Sequence, residues 1–91
     1  MNKLLTAEDP ESEEFEFRGD CYICAKGSGQ ISILRQMGGS FEVITDDTGE
    51  PFTRIGDGVI FNGVVTCNSK IKHKVVASTT SEILLSIVKE R

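Results

Sequence analysis

Apolar and polar residues alternate from about residue 14 to the end of the chain, with turn-forming residues at short intervals. Successive side chains of a strand point to opposite faces, so period two predicts half-buried strands. Over residues 15–25, Phe15, Phe17, Gly19, Cys21, Ile23 and Ala25 fall on one side. Glu14, Glu16, Arg18 and Asp20 fall on the other. Gly19 is placed as a bulge or bend dividing this stretch into two strands. Lys26-Gly27-Ser28-Gly29 reads as a turn, and residues 30–36 form the next strand with Ile31 and Ile33 inward. Met37-Gly38-Gly39-Ser40 turns the chain again. Residues 41–45 follow, with Phe41 and Val43 inward, and residues 46–51 form a loop.

The strongest local signal is Asn62-Gly63 between Val59-Ile60-Phe61 and Val64-Val65-Thr66. Asn-Gly suits a two-residue type I′ hairpin turn, which needs positive φ at both central positions. Beyond Asn68-Ser69, Ile71, His73, Val75 and Ala77 alternate with Lys70, Lys72 and Lys74. Residues 82–89 form the last strand; their β-branched content outweighs a passable helical spacing. No helix is written elsewhere. The expected fold is all-β: a single antiparallel β-sandwich or partly open barrel of seven or eight short strands.

Length limits this to one domain, since 91 residues are too few for two. The formal net charge of −4 is unevenly spread. Residues 1–17 hold six acids and one base, a net of −5; the remainder is close to neutral at +1. The expected layout is therefore an acidic, flexible N-terminal arm over residues 1–13 and a β-sandwich domain over 14–91. A body without basic excess argues against a nucleic-acid ligand. No run approaches membrane-spanning length, and no secretory leader is evident. Cys21, Cys24 and Cys67 are odd in number, a poor basis for a disulfide framework. Cys21 and Cys24 have knuckle spacing, but three positions apart on a strand they face opposite ways, so they share no metal. They are expected as reduced apolar fillers, and no metal or cofactor is expected.

The candidate chemistry is sparse. His73 is the one histidine and falls on the inward side, as a hydrogen-bonded structural residue, so no enzymatic activity is expected. Arg18-Gly19-Asp20 lies inside a strand and not at a loop tip. Asp46, Asp47, Glu50 and Asp57 lack EF-hand spacing. What stands out is apolar character on both faces of some strands. The last strand carries Ile83, Leu85 and Ile87 on one side and Leu84 and Val88 on the other; Val64-Val65 and Val75-Val76 behave alike. A doubly apolar strand needs a second cover, from its own chain or from a partner. The residues expected to meet a partner are Leu4 and Leu5, as an apolar hook in the arm, the basic stripe Lys70, Lys72 and Lys74, and Leu84 and Val88.

A resemblance is carried by five stretches: Phe17-Arg18-Gly19-Asp20-Cys21-Tyr22-Ile23; Gly27-Ser28-Gly29-Gln30-Ile31-Ser32-Ile33-Leu34-Arg35; Gly38-Gly39-Ser40-Phe41-Glu42-Val43-Ile44; Asp47-Thr48-Gly49; and Ile71-Lys72-His73-Lys74-Val75-Val76-Ala77. In this order they resemble small β-sandwich structural proteins of tailed bacteriophages, across roughly residues 15–89. The resemblance implies a non-enzymatic virion protein: a head decoration, head–tail or tail accessory component. It would be made in the host cytoplasm and carried in the virion. Its partners would be further copies of itself and other phage capsid or tail proteins, with no nucleic acid and no membrane. The competing expectation is a carbohydrate- or receptor-binding β-sandwich module, for which Tyr22 is the one candidate platform ring.

Overall fold

The computed structural model describes residues 2–89; Met1 of the expected arm, and Glu90 and Arg91 of the expected domain, lie outside the described residues. The described chain is all-β. Its five strands are β1 (Asn2–Thr6), β2 (Phe15–Met37), β3 (Ser40–Val43), β4 (Thr53–Ser78) and β5 (Glu82–Lys89). The inward residues of β2 keep to odd positions from Phe15 to Ile33, as alternation predicts. They meet Val65, Cys67, Val75 and Ala77 of β4, and Ile83, Leu85 and Ile87 of β5, in one apolar core.

Five strands replace the seven or eight expected because β2 and β4 run unbroken through their glycines. As β2 advances from Phe15 to Ser32, its partners on β4 fall from His73 to Thr53, an antiparallel register. Residues 30–35 of β2 also face residues 78–73 of β4, so the two long strands meet twice. β5 lies antiparallel to β2 with Tyr22 opposite Val88 and Lys26 opposite Leu84. β1 adds to β5, with Leu4 opposite Leu84. β3 returns along β2 after a two-residue turn at Gly38-Gly39. Only Gly38 there has positive φ, at 64°, the pattern of a type II′ turn.

Asn62-Gly63 is not a hairpin. Asn62 pairs with Cys24 and Gly63 with Ile23 in mid-strand, and neither has positive φ. Pairing with β2 on both sides of the dipeptide overrides its turn preference. Gly63 serves a different end: a Cβ there would stand 3.0 Å from the Phe61 ring, which covers that position. Asn68-Ser69 likewise does not end a strand. Phe17 faces Ile71 and Gly19 faces Cys67, so β4 bulges between them opposite the Gly19 bend, where φ is +89°. A second bulge turns Ile60 into the core, since Lys26 faces Val59 while Ala25 faces Phe61.

Gly27 and Gly29 hold inward positions where β2 crosses other backbone. A Cβ at Gly27 would collide with the Glu82 carbonyl oxygen and lie 2.9 Å from the Ile83 Cα. At Gly29 it would lie 2.7 Å from the Ser78 carbonyl oxygen. Their φ values, +145° and +142°, exclude most side chains in any case.

Two inward expectations fail on β3. Val43 is 40% exposed and Phe41 half-buried, while Ile44 is buried. The reason is register: Val43 faces Leu34 and Phe41 faces Gln36, both on the outward, even side of β2.

The acidic N-terminal stretch is placed within the sheet. β1 pairs with β5. Farther on, the Ser12 amide donates to the Val75 carbonyl (2.9 Å) and the Ala77 amide to the Pro10 carbonyl (2.8 Å). The Ser12 hydroxyl accepts from the Val75 amide at 2.9 Å and is itself buried.

Gly27→Ala is expected to destabilise the fold well beyond Gly38→Ala. Both lose a positive-φ glycine, at a cost of about 1–3 kcal/mol, but only position 27 also forces β5 backbone aside. Urea denaturation of the two variants checks this; equal losses would mean that the β2–β5 crossing yields freely.

Candidate functional surface

The side of β1, β5, β2 and β4 turned away from the core is built from registered rows. One row runs Leu4, Leu84, Lys26, Val59 across the four strands. Another runs Val88, Tyr22, Val64 across three. Between them lie Asn2, Ser86, Cys24 and Asn62. Antiparallel partners share a face, so each row projects to one side. The six apolar side chains of the outer rows are 46% to 61% exposed. This is the largest group of exposed apolar residues that the sheet register brings together; Ile55 is also exposed but pairs with Gln30, away from it.

The expected partner residues divide. Leu84 and Val88 are exposed on this face and Leu4 joins them. Leu5 does not: it is fully buried in the core, because the residue after an outward Leu4 must point inward. Val59, Tyr22 and Val64 complete the face; the sequence marks Val64 with Val65 as apolar on both sides and Tyr22 as a candidate ring, but places none of the three among the expected partner residues. The outward parity of Tyr22 and Val64 was readable within each strand; that of Val59 was not, because the bulge at Ile60 reverses it, and only the register aligns the three.

The lysine stripe is engaged largely by its own chain. Lys74 Nζ lies 3.0 Å from Glu11 and 4.8 Å over the Phe41 ring; Lys72 lies 3.9 Å from Glu14. Lys70 is exposed. The acids and lysines thus join the N-terminal segment to β4, each exposed pair contributing about 0–1 kcal/mol.

Cys21 and Cys24 point to opposite sides, as alternation requires: Cys21 is fully buried and Cys24 half-buried on the outer face. Burial pushes the Cys21 thiol up to about 11. Cys67 is a second core filler, whereas Cys24 departs from that expectation. All three are free thiols.

His73 is fully buried against Phe17, with ring centroids 4.4 Å apart. Arg35 Nε donates to its Nε2 at 2.8 Å, and its Nδ1 donates to the Ile71 carbonyl at 2.8 Å. Arginine only donates and a carbonyl only accepts, which fixes the neutral Nδ1–H tautomer. Burial lowers the His73 pKa from its ordinary 6.5; the Ile71 carbonyl opposes this and the Arg35 charge adds to it.

A groove of about 320 Å³ opens beside this pair, lined by Arg35, Asp46, Asp47, Phe52, Val64 and Thr66. Arg35 and Asp46 are committed, whereas Asp47 is exposed. Arg35 also donates to the Thr66 carbonyl at 3.3 Å. The Asp46 carboxylate accepts from the Thr48 hydroxyl (2.7 Å) and amide (3.0 Å) and the Glu50 amide (3.1 Å). It also pairs with Arg54 at 3.3 Å. The Thr48 hydroxyl is the main cause that lowers its pKa. Arg54 in turn lies 4.3 Å over the Phe52 ring. Among the described residues no group of three or more His, Cys, Asp or Glu could hold a metal ion.

No family model matches this chain, and no curated protein or solved structure is similar to it.

Two outcomes follow from the buried groups. The unfolded chain protonates His73 more readily than the folded one, so stability holds above the ordinary value of 6.5 and falls as pH drops below it. Urea midpoints at about pH 7.5 and about pH 5, above the main carboxylate range, are expected to differ in the native chain and to converge in His73→Gln. Asp46→Ala is expected to speed hydrogen exchange at the Thr48 and Glu50 amides, read by NMR, with the core strands unchanged.

Proposed function

We propose that this chain is a structural assembly component that works by binding and not by catalysis. The specific form is a virion protein of a tailed bacteriophage, set in the head, the head–tail junction or the tail. One observation carries the reading: a hydrogen-bonded four-strand sheet whose inner side completes the core still presents apolar rows on its outer side. Apolar surface on a folded sheet is costly to leave wet and marks a site of contact. The commitment of both His73 ring nitrogens supports a binding role over acid–base work. The double pairing of β2 with β4 supports the finer architecture, a sheet folded over as a sandwich or partly open barrel. The carbohydrate- or receptor-binding alternative needs an aromatic platform. Tyr22 is the single exposed ring among the described residues, so that alternative is not favoured.

The test is composition of particles. Mass spectrometry of density-purified particles from cells carrying this gene is expected to find the chain in fixed proportion to the major shell protein. Its presence in the lysate but absence from particles overturns the virion assignment.

A further inference from the structure

The two apolar rows of the outer face stand at equal distances from the small polar row between them. On β5, Leu84 and Val88 flank Ser86; on β2, Lys26 and Tyr22 flank Cys24; on β4, Val59 and Val64 flank Asn62. The spacing on β4 holds because the bulge turns Ile60 inward and so restores the row. On β5 and β4 the face is therefore apolar on both sides of its middle row; on β2 Lys26 stands opposite Tyr22, and Leu4 on β1 has no counterpart. A two-fold axis laid along that row, across the strands, places each strand antiparallel over its own counterpart. Leu84 then rests on the partner's Val88, Val59 on the partner's Val64, and Lys26 on the partner's Tyr22.

Charge decides between this and the other simple stackings. Lys26 is the one charged residue within these rows. Stacking two copies in the same direction would press Lys26 against its own counterpart, like charge on like. The two-fold separates the two ammonium groups and sets each over a tyrosine ring, a favourable cation–π arrangement. An isologous contact of this kind also closes after two copies, which leaves no sticky surface over.

We propose that the outer face is occupied by a second copy of this chain, related by a two-fold axis through the row of Ser86, Cys24 and Asn62. This rests on the assembly reading above and names the partner of that same face. Cys24 then sits on the axis and is shielded in the dimer. The facing sheets stand about 10 Å apart, as stacked sheets do. That exceeds the reach of a disulfide, so the thiol reports by its protection and not by cross-linking.

The test uses the full chain. Sedimentation over a concentration series is expected to show a monomer–dimer equilibrium, with Cys24 alkylation by iodoacetamide slowing as dimer accumulates. Leu84→Glu and Val88→Lys, each checked for a native circular dichroism spectrum, are each expected to be monomeric with Cys24 reactive throughout. Mixed together they are expected to form a heterodimer, because the two-fold sets the introduced carboxylate on the introduced ammonium and leaves Val88 on Leu84 at the other contact. A chain that stays monomeric at every concentration overturns the proposal. So does a dimer in which Cys24 stays fully reactive, or a pair of variants that does not recombine. Any of these results leaves the particle assay free to succeed, so failure of the dimer is distinct from failure of the assembly reading.

Discussion

The fold depends on how closely β2 passes the backbone at the start of β5 and at the end of β4. Gly27 and Gly29 are the inward positions at that passage, and neither has room for a single carbon. Because they carry no side chain, one strand crosses the core without turning back. It is bonded to β5 and to the end of β4 along one edge and to the earlier part of β4 along the other. The Thr79 hydroxyl secures the passage by donating to the Ser28 carbonyl. Side chains of ordinary size there would push β5 away, and the inward residues Ile83, Leu85 and Ile87 would lose the core they complete.

Polar groups then fasten what the glycines allow. His73 sits fully buried and would be costly if left unpaired, yet both its nitrogens are met. Its partners come from a neighbouring part of β4 and from Arg35 on β2, so the pair ties the two long strands where they meet for the second time. The N-terminal segment closes the remaining side of β4 through backbone bonds at Pro10 and Ser12, with Glu11 and Glu14 turned toward Lys74 and Lys72. Two of the acids at the start of the chain, Glu11 and Glu14, are thus set against the basic stripe near its end. That charge steadies the molecule and is less available to a partner.

With the core filled and Lys72 and Lys74 engaged, the outer rows of β1, β5, β2 and β4 are where the chain has apolar surface left over. The groove beside Arg35 and Asp46 is the main rival as a site, but Arg35 is held by His73 and the Thr66 carbonyl, and Asp46 by Arg54 and its own loop. The case for a binding protein therefore rests on surface that is apolar and carried by a hydrogen-bonded sheet. Such a surface is preorganised and loses little conformational freedom on contact.

Alternation alone determined the inward side of β2, of the later part of β4 and of β5, though not of β3. It placed Phe15, Phe17, Cys21, Ile23, Ala25, Ile31 and Ile33 in the core, put His73 among them, and set Leu84 and Val88 outside. That was legible because strand parity is local: a residue's side follows from its neighbours in sequence. Where strands end and which strands pair was decided only in three dimensions. Asn62-Gly63 has the composition of a tight turn, yet hydrogen bonding to β2 on both sides keeps it extended. Gly27 and Gly29 look like the same punctuation but mark a crossing of backbones. Val43 points outward because its partner Leu34 does, and Arg35 meets His73 from 38 positions away. Sequence fixes parity through the geometry of a single strand. Register and the alignment of rows into one face arise from contacts between distant segments, and only the folded chain supplies those.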